Sequence, residues 1–320
     1  MGWKKKLSLI ALFTGTAIGT MHMINRIFSY IATADDLLEE DSYQYYEWRF
    51  GKIAYKKKGK GTPLLLVHNL DVCASSNEWR NVEDALAENH TVYTLDLLGC
   101  GCSDHPILTY TNYLYVQLIT DFIKHIIKEK TDVIVSGSSS SFVLMACSND
   151  DTIINRVAMI NPQNLVTLAK IPTKRTKIIK HLLYMPILGT FIYNMKVNKR
   201  TIMQNYSSAY LYDPNGICER DILTCFEASH REKTHSKYLY ACQKSRYLNT
   251  NVMCCLNKLN NSIFIIAGNS NPENMLIAEQ YQNQLPSIEI VGINNTKMLP
   301  HVEKAEEFIE QIQILFSEEV

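Results

Sequence analysis

The chain has 320 residues, of which 46% are hydrophobic, and it carries 32 basic and 32 acidic side chains. This length and apolar content suit one large domain or a domain with an insertion. A formal net charge of zero argues against the basic surface that nucleic-acid binding needs, so we expect no nucleic-acid partner. The nine cysteines lack zinc-ligand spacing and cannot all be paired, so we expect free thiols, no metal and no cofactor.

The first 34 residues differ from the rest of the chain. Lys4, Lys5 and Lys6 precede residues 7–24, which carry no Asp, Glu, Lys or Arg. Eighteen helical residues span about 27 Å, near the lower limit for a hydrocarbon core. We therefore predict that residues 1–34 form a membrane anchor or signal-like segment, with the membrane contacted through residues 7–24. A soluble amphipathic helix is the alternative.

The side of the membrane stays open at this point. The three lysines favour an extracytoplasmic domain, whereas free cysteines favour a reducing compartment.

Short apolar runs then alternate with helical patterns along the chain. The runs predict strands at 45–50, 52–57, 63–67, 91–95, 132–136, 157–160, 263–267 and 288–291. Helices are predicted at 79–88, at 113–128, from the serine-rich turn after strand 132–136 through residue 147, at 273–284 and at 302–316. Such alternation predicts an α/β fold with a mostly parallel central sheet flanked by helices. Residues 165–260 show only helical patterns, so we expect a helical cap there, inserted between core segments 42–164 and 261–320.

A serine-rich turn follows the predicted strand at 132–136. Its sequence is Gly-Ser-Ser-Ser-Ser at 137–141, and a strand, a Gly-x-Ser turn and a helix together lift the middle serine to the top of a sheet. Ser139 is therefore the candidate nucleophile. The usual closing glycine is replaced by Ser141, and a turn without chemistry is the alternative.

Four motifs in order resemble the α/β-hydrolase superfamily, from about residue 51 to the C-terminus. They are the strand and loop at 65–69, the Asp-x-x-Gly-x-Gly-x-Ser-Asp loop at 96–104, the turn at 137–141 and the helix entry at 299–308. The resemblance implies an α/β-hydrolase fold and a serine hydrolase acting on an apolar ester or acyl substrate. It also implies oxyanion donors on the backbone of Leu70 and Ser140, with His68 and Asn69 in the same loop. Asn69 replaces the family's glycine, which asparagine tolerates because it accepts positive φ.

Two catalytic positions depart from the family pattern. The acid position is Asn271, with Glu273 as a weak substitute, and the base position is Met298, with His301 as a weak substitute. A thioether takes no proton, so any base would have to come from elsewhere; Lys297, His230 and His235 are the other candidates.

Two function classes remain open. The first is a serine hydrolase with Ser139 as nucleophile and weakened activity. The second is a catalytically inactive relative that binds a small apolar ligand or a protein partner.

Overall fold

A computed structural model describes residues 2–38 and 43–317; the expected start of the core at residue 42 lies outside these ranges. Eight strands form one sheet in the order β1-β2-β4-β3-β5-β6-β7-β8. The pairs β1–β2 and β2–β4 are antiparallel, and the other neighbours are parallel. The strands are β1 (Gln44–Trp48), β2 (Gly51–Lys58), β3 (Thr62–Val67), β4 (His90–Leu95), β5 (Thr131–Ser136), β6 (Ile154–Ile160), β7 (Ser262–Gly268) and β8 (Glu289–Ile293).

The structure confirms all eight predicted strands. Each of them is a run of apolar or alternating residues. The central strand β5 is buried along its whole length, as expected of a parallel strand covered by helices on both faces. The two faces pack against separate apolar clusters, one around Phe122 and Phe142 and the other around Trp79 and Phe308. The nine cysteines are free thiols.

Within the described residues, fifteen α-helices accompany the sheet. In the core they are α2 (Glu83–Leu86), α3 (Asn112–Phe122), α4 (Ser140–Asn149), α13 (Pro272–Gln284), α14 (Pro300–Glu303) and α15 (Ala305–Leu315). Two predicted helices are broken. The first, at 79–88, contains only the single turn α2, and the second, at 302–316, is interrupted at Lys304, whose φ of −136° and ψ of 61° are not helical.

The chain between β6 and β7 forms the predicted helical insertion. Its helices are α5 (Leu165–Leu168), α6 (Lys174–Tyr184), α7 (Pro186–Lys196), α8 (Lys199–Asn205), α9 (Glu219–Ala228), α10 (Arg231–Thr234), α11 (Ser236–Lys244) and α12 (Met253–Leu256). A π-helical turn at Tyr206–Tyr210 continues α8.

The N-terminal helix α1 (Trp3–Ala32) is long and apolar enough to cross a membrane by length and composition. A signal sequence or a buried core helix can meet the same criterion, but the apolar window of α1 is not buried. Residues 3–20 are exposed throughout. The last turns of α1 pack on the cap, where Ala32 joins a small apolar cluster with Ile202, Ile222 and Phe226.

Candidate active site

Gly137 forms the sharp turn at the carboxyl end of β5. Its φ of +56° lies in the left-handed region, which glycine adopts without the usual steric cost. A Cβ atom at this position would overlap Asn69 Oδ1 and lie 2.7 Å from Asn69 Cγ. In a nucleophile turn the residue at the tip presents its side chain above the sheet. In this chain that residue is a glycine.

Ser139 lies two residues beyond the tip. Its φ of −65° and ψ of −20° are right-handed helical, and its side chain is fully buried. The hydroxyl donates to the backbone carbonyl of His68 at 2.7 Å, and Ser139 does not line the cavity above the turn. The prediction that the turn presents Ser139 to a substrate is therefore wrong, because the left-handed conformation falls on Gly137 and Ser139 already leads into α4.

The backbone N–H groups near the tip already have partners. The Ser140 N–H points to the carbonyls of Gly137 and Ser138, so it is not the free oxyanion donor we expected. The Ser138 N–H and hydroxyl donate to Asn69 Oδ1 at 3.0 and 2.9 Å. Asn69 itself does not adopt the expected positive φ. Its side-chain carbonyl instead takes up the N–H that directly follows the tip, which is the position of an oxyanion donor.

His68 has a structural role in the loop after β3. The Leu97 N–H donates to His68 Nε2 at 3.0 Å, and His68 Nδ1 lies 2.8 Å from the Asn69 carbonyl. Because Nε2 accepts, Nδ1 carries the proton and donates. The Leu70 carbonyl accepts a hydrogen bond from Gln243 Nε2 of the cap at 2.7 Å. These bonds hold the loop beside the Gly137 turn.

Met298 lines the same cavity as Gly137. Its backbone N–H donates to the Tyr210 carbonyl at 3.0 Å, which ties this loop to the cap. The neighbouring Lys297 does not line the cavity, and its Nζ atom lies 3.3 Å from the Ser208 carbonyl. The residue that lines the cavity at the expected base position is thus a thioether, with no proton-accepting atom.

Asn271 and Glu273 begin helix α13 rather than facing the cavity. Asn271 Oδ1 accepts a hydrogen bond from the Glu273 N–H at 3.2 Å, as a helix N-cap does. Glu273 is exposed, and neither residue lines the cavity. Glu273 is therefore not placed as a substitute acid.

Two buried amides hold the loop that carries Met298. Asn161 Nδ2 donates to the Lys297 and Met298 carbonyls at 2.9 and 3.0 Å. Asn274 Nδ2 donates to the Lys297 carbonyl at 3.1 Å. A carboxylate cannot donate such bonds. Sequence reasoning missed Asn274, although its position three residues after the cap residue Asn271 is a usable signal.

His301 and Glu78 form a buried pair beneath the cavity. His301 Nε2 lies 3.2 Å from Glu78 Oε1, and the His301 ring stacks on Trp79 with centroids 4.7 Å apart. Burial alone would raise the pKa of Glu78, but the hydrogen bond and charge of His301, together with His68 and Ser136, more than offset this and lower that pKa. Glu78 lines the cavity and His301 does not, so His301 is not placed as a substitute base. Sequence reasoning missed Glu78.

The histidines of the cap also lie away from the turn. His230 is fully buried, and its Nδ1 atom lies 2.9 Å from the Phe226 carbonyl. Burial lowers the pKa of His230 to about 4. His235 packs on Tyr238 with ring centroids 5.8 Å apart. Neither histidine lines the cavity, so neither of these candidate bases lies beside the Gly137 turn.

A cavity of about 880 Å³, including its open mouth, separates the carboxyl edge of the sheet from the cap. Its apolar, aromatic and sulfur-containing lining includes Cys73, Tyr206, Tyr210, Cys225, Met298 and Leu299. Its carboxylates are Asp71, Glu78 and Asp221. Within residues 2–38 and 43–317, no group of three or more His, Cys, Asp or Glu side chains could hold a metal ion.

The carboxylates of the cavity differ in their partners. Asp221 pairs with both terminal nitrogens of Arg80. Asp71 accepts a hydrogen bond from the Cys73 N–H at 2.9 Å and forms no ion pair with the residues that the structure describes. The charge of Asp71, followed by burial, raises the pKa of Tyr210. An unpaired negative charge therefore faces the tyrosines of the cap.

Comparisons with known proteins agree with this architecture. A family model described as alpha/beta hydrolase fold matches residues 62–183. The chain therefore has the α/β-hydrolase fold. A serine hydrolase of carbazole degradation (CarC) has a TM-score of 0.70 at 17% identity, over 85% of this chain and 97% of that structure. Epoxide hydrolase CorEH has a TM-score of 0.67 at 20% identity, over 86% and 98%. At these identities the likeness is one of fold.

Curated relatives match shorter parts of this α/β-hydrolase-fold chain. A soluble epoxide hydrolase of Corynebacterium sp. (strain C12) is 26% identical over 176 residues, which are 53% of this chain and 61% of that enzyme. A 2-hydroxy-6-oxo-6-(2'-aminophenyl)hexa-2,4-dienoic acid hydrolase of Metapseudomonas resinovorans is 38% identical over 71 residues, which are 22% of this chain and 24% of that enzyme. The chain thus spans less than two thirds of the length of either relative.

Proposed function

We propose that this protein is a catalytically inactive α/β-hydrolase-fold protein that binds a small molecule in the cavity beneath the cap. The observation that carries the proposal is the glycine at the tip of the nucleophile turn. Gly137 offers no nucleophile, and the nearby Ser139 hydroxyl is buried on the His68 carbonyl.

The rest of the site supports the same proposal. Acyl transfer by a serine hydrolase needs a nucleophile, a base within about 3 Å of it and free oxyanion donors. Here Met298 stands at the expected base position and lines the cavity, and the N–H of Ser138 is bonded to Asn69. Loss of one triad member typically lowers turnover by about 10⁴ to 10⁶-fold. The combined departures therefore favour binding over turnover.

The lining favours an amphipathic ligand that carries a hydrogen-bond donor. Tyr206 and Tyr210 stand four residues apart on the π-helical turn, with ring centroids 5.3 Å apart, and both line the cavity. The Asp71 carboxylate lacks a cationic partner among the described residues. A carboxylate shielded from water in a cavity is stabilised by a donor or a cation, and tyrosine faces attract cations; Asp71 is half-buried. An apolar body with a primary amine fits this lining best.

The proposal is tested by thermal shift of the full-length chain in mild detergent, with amines, alcohols and carboxylic acids of one carbon skeleton. The amine is expected to stabilise the protein most and the acid least. Asp71→Asn is expected to remove the preference for the amine. Asp151→Asn is the matched control, because Asp151 is exposed and does not line the cavity. Equal responses to amine and acid, or no response to any of the three compounds, would contradict the proposal.

A further inference from the structure

Large apolar side chains are exposed on helix α6 and on the residues just before and after it. Ile171, Ile178, Leu182 and Met185 are 75%, 67%, 39% and 47% exposed. Ile178 and Leu182 lie four residues apart on one face of α6, whereas Ile171 precedes the helix and Met185 follows its last residue. Thr176 and Leu183, on the opposite face, are buried. We call these four residues the α6 stripe.

Basic side chains flank the α6 stripe. Lys174, Arg175 and Lys177 are exposed, and none of them forms a salt bridge with another described residue. An exposed apolar stripe with lysine and arginine beside it is typical of a helix that lies in the headgroup region of a membrane. Lysine and arginine at such a position are attracted to anionic lipids.

The end of α6 lies close to the part of α1 that is apolar and exposed. Asn25 of α1 donates from Nδ2 to the Ile187 carbonyl, two residues after Met185, at 3.0 Å. Asn194 donates to Asn25 Oδ1, also at 3.0 Å. Residues 3–20 of α1 are exposed throughout, and Asn25 follows them by five residues, which is about 7.5 Å along a helix. A bilayer crossed by residues 7–24 would end next to Asn25, which contacts Ile187 near the end of the α6 stripe.

We propose that the α6 stripe is a second membrane contact, which docks the cap on the surface of a bilayer rich in anionic phospholipid. The proposal is independent of what the cavity binds. Charge complementarity and the attachment of α7 to α1 favour a lipid surface over a second copy of the chain. The isoleucines and the leucine would enter the acyl boundary, with the lysines and the arginine at the headgroups.

Tryptophan quenching by brominated lipids tests the proposal on the full-length chain in vesicles of mixed anionic and zwitterionic phospholipid. Native Trp3 is 76% exposed on α1 and reports insertion of that helix, whereas Trp48 and Trp79 are buried. Ile178→Trp adds a reporter on the α6 stripe. Ile314→Trp is the matched control, because Ile314 is 64% exposed on α15, which packs against β8.

The tryptophan at position 178 is expected to lose about half of its emission in brominated vesicles, as an interfacial side chain does. The tryptophan at position 314 is expected to lose none. Leu182→Trp repeats the test if Ile178→Trp does not fold. Lys174→Ala is expected to weaken the binding of the α6 stripe to the surface of anionic vesicles about fivefold. Its binding to neutral vesicles is expected to stay unchanged.

Equal quenching at positions 178 and 314 would overturn the proposal, whether or not Trp3 is quenched. A blue-shifted emission from position 178 that grows with protein concentration, without quenching, would also overturn it and would identify a second copy of the chain as the occupant.

Discussion

Ser139 and Ser140 are neighbouring buried serines with opposite predicted responses to alanine. Both are fully buried, so each substitution removes one oxygen from a packed environment. The Ser139 hydroxyl donates to the His68 carbonyl at 2.7 Å, whereas the Ser140 hydroxyl has no hydrogen-bond partner within the described ranges. Ser139→Ala breaks a buried hydrogen bond and should lower the free energy of unfolding by about 1–2 kcal/mol. Ser140→Ala removes an unpaired buried hydroxyl and should change it by about 0–1 kcal/mol, in the stabilising direction.

Urea unfolding of the full-length chain in mild detergent measures both effects. The two variants should unfold with the same dependence on urea concentration as the parent, so that their midpoints report stability directly. A Ser139→Ala variant as stable as the parent, or more stable, would refute the structural role of that hydroxyl. Such a result is expected only if Ser139 faces the cavity, where a strained catalytic serine is often destabilising.

Two further predictions concern backbone strain and pH. Gly137→Ala should lower the free energy of unfolding by about 2–4 kcal/mol, the combined cost of the positive φ and of the overlap with Asn69. In urea unfolding, adding Asn69→Gly to this variant should restore part of the loss. Additive effects of the two substitutions would contradict the contact between Gly137 and Asn69. Burial lowers the pKa of His105 to about 3, helped by nearby positive charge, and burial lowers that of His230 to about 4. Below about pH 6.5 these two histidines therefore bind protons in the unfolded chain but stay neutral in the folded chain. The free energy of unfolding should be unaffected by these histidines above that pH. It should fall as the pH is lowered from about 6.5 towards 4, by about 2 kcal/mol per histidine at pH 5. In urea unfolding at pH 7 and pH 5, His105→Phe should reduce this loss by about 2 kcal/mol, and an unchanged loss would argue against a neutral buried imidazole.

The strands could be predicted because each is a run of apolar or alternating residues. The cap could be placed because its helical patterns interrupt the series of strands. The broken helices could not be predicted from periodicity. At Lys304 the apolar spacing continues, while the backbone leaves the helix at φ −136° and ψ 61°.

The sequence prediction places the tip of the serine-rich turn at Ser139, two residues later in the chain than the structure does. Four serines follow Gly137, so the residue types around Ser139 barely change when the alignment shifts by two positions. The conformation of the tip distinguishes these registers, because only glycine adopts a positive φ at little cost. Gly137 was therefore the available signal, and it places the tip two residues earlier. The contact of Asn69 with Ser138 spans 69 residues of chain and had no local signal.

The nucleophile position of this fold is occupied in this chain by Gly137, which has no side chain that could attack a substrate. Intact-mass measurement of the full-length protein after incubation with a fluorophosphonate, beside Ser139→Ala, tests this assignment most directly. We predict an unchanged mass for both proteins, because Gly137 has no side chain and the Ser139 hydroxyl is buried on the His68 carbonyl. Addition of one phosphonyl group to the parent, absent from Ser139→Ala, would contradict the account and show that Ser139 is an activated nucleophile.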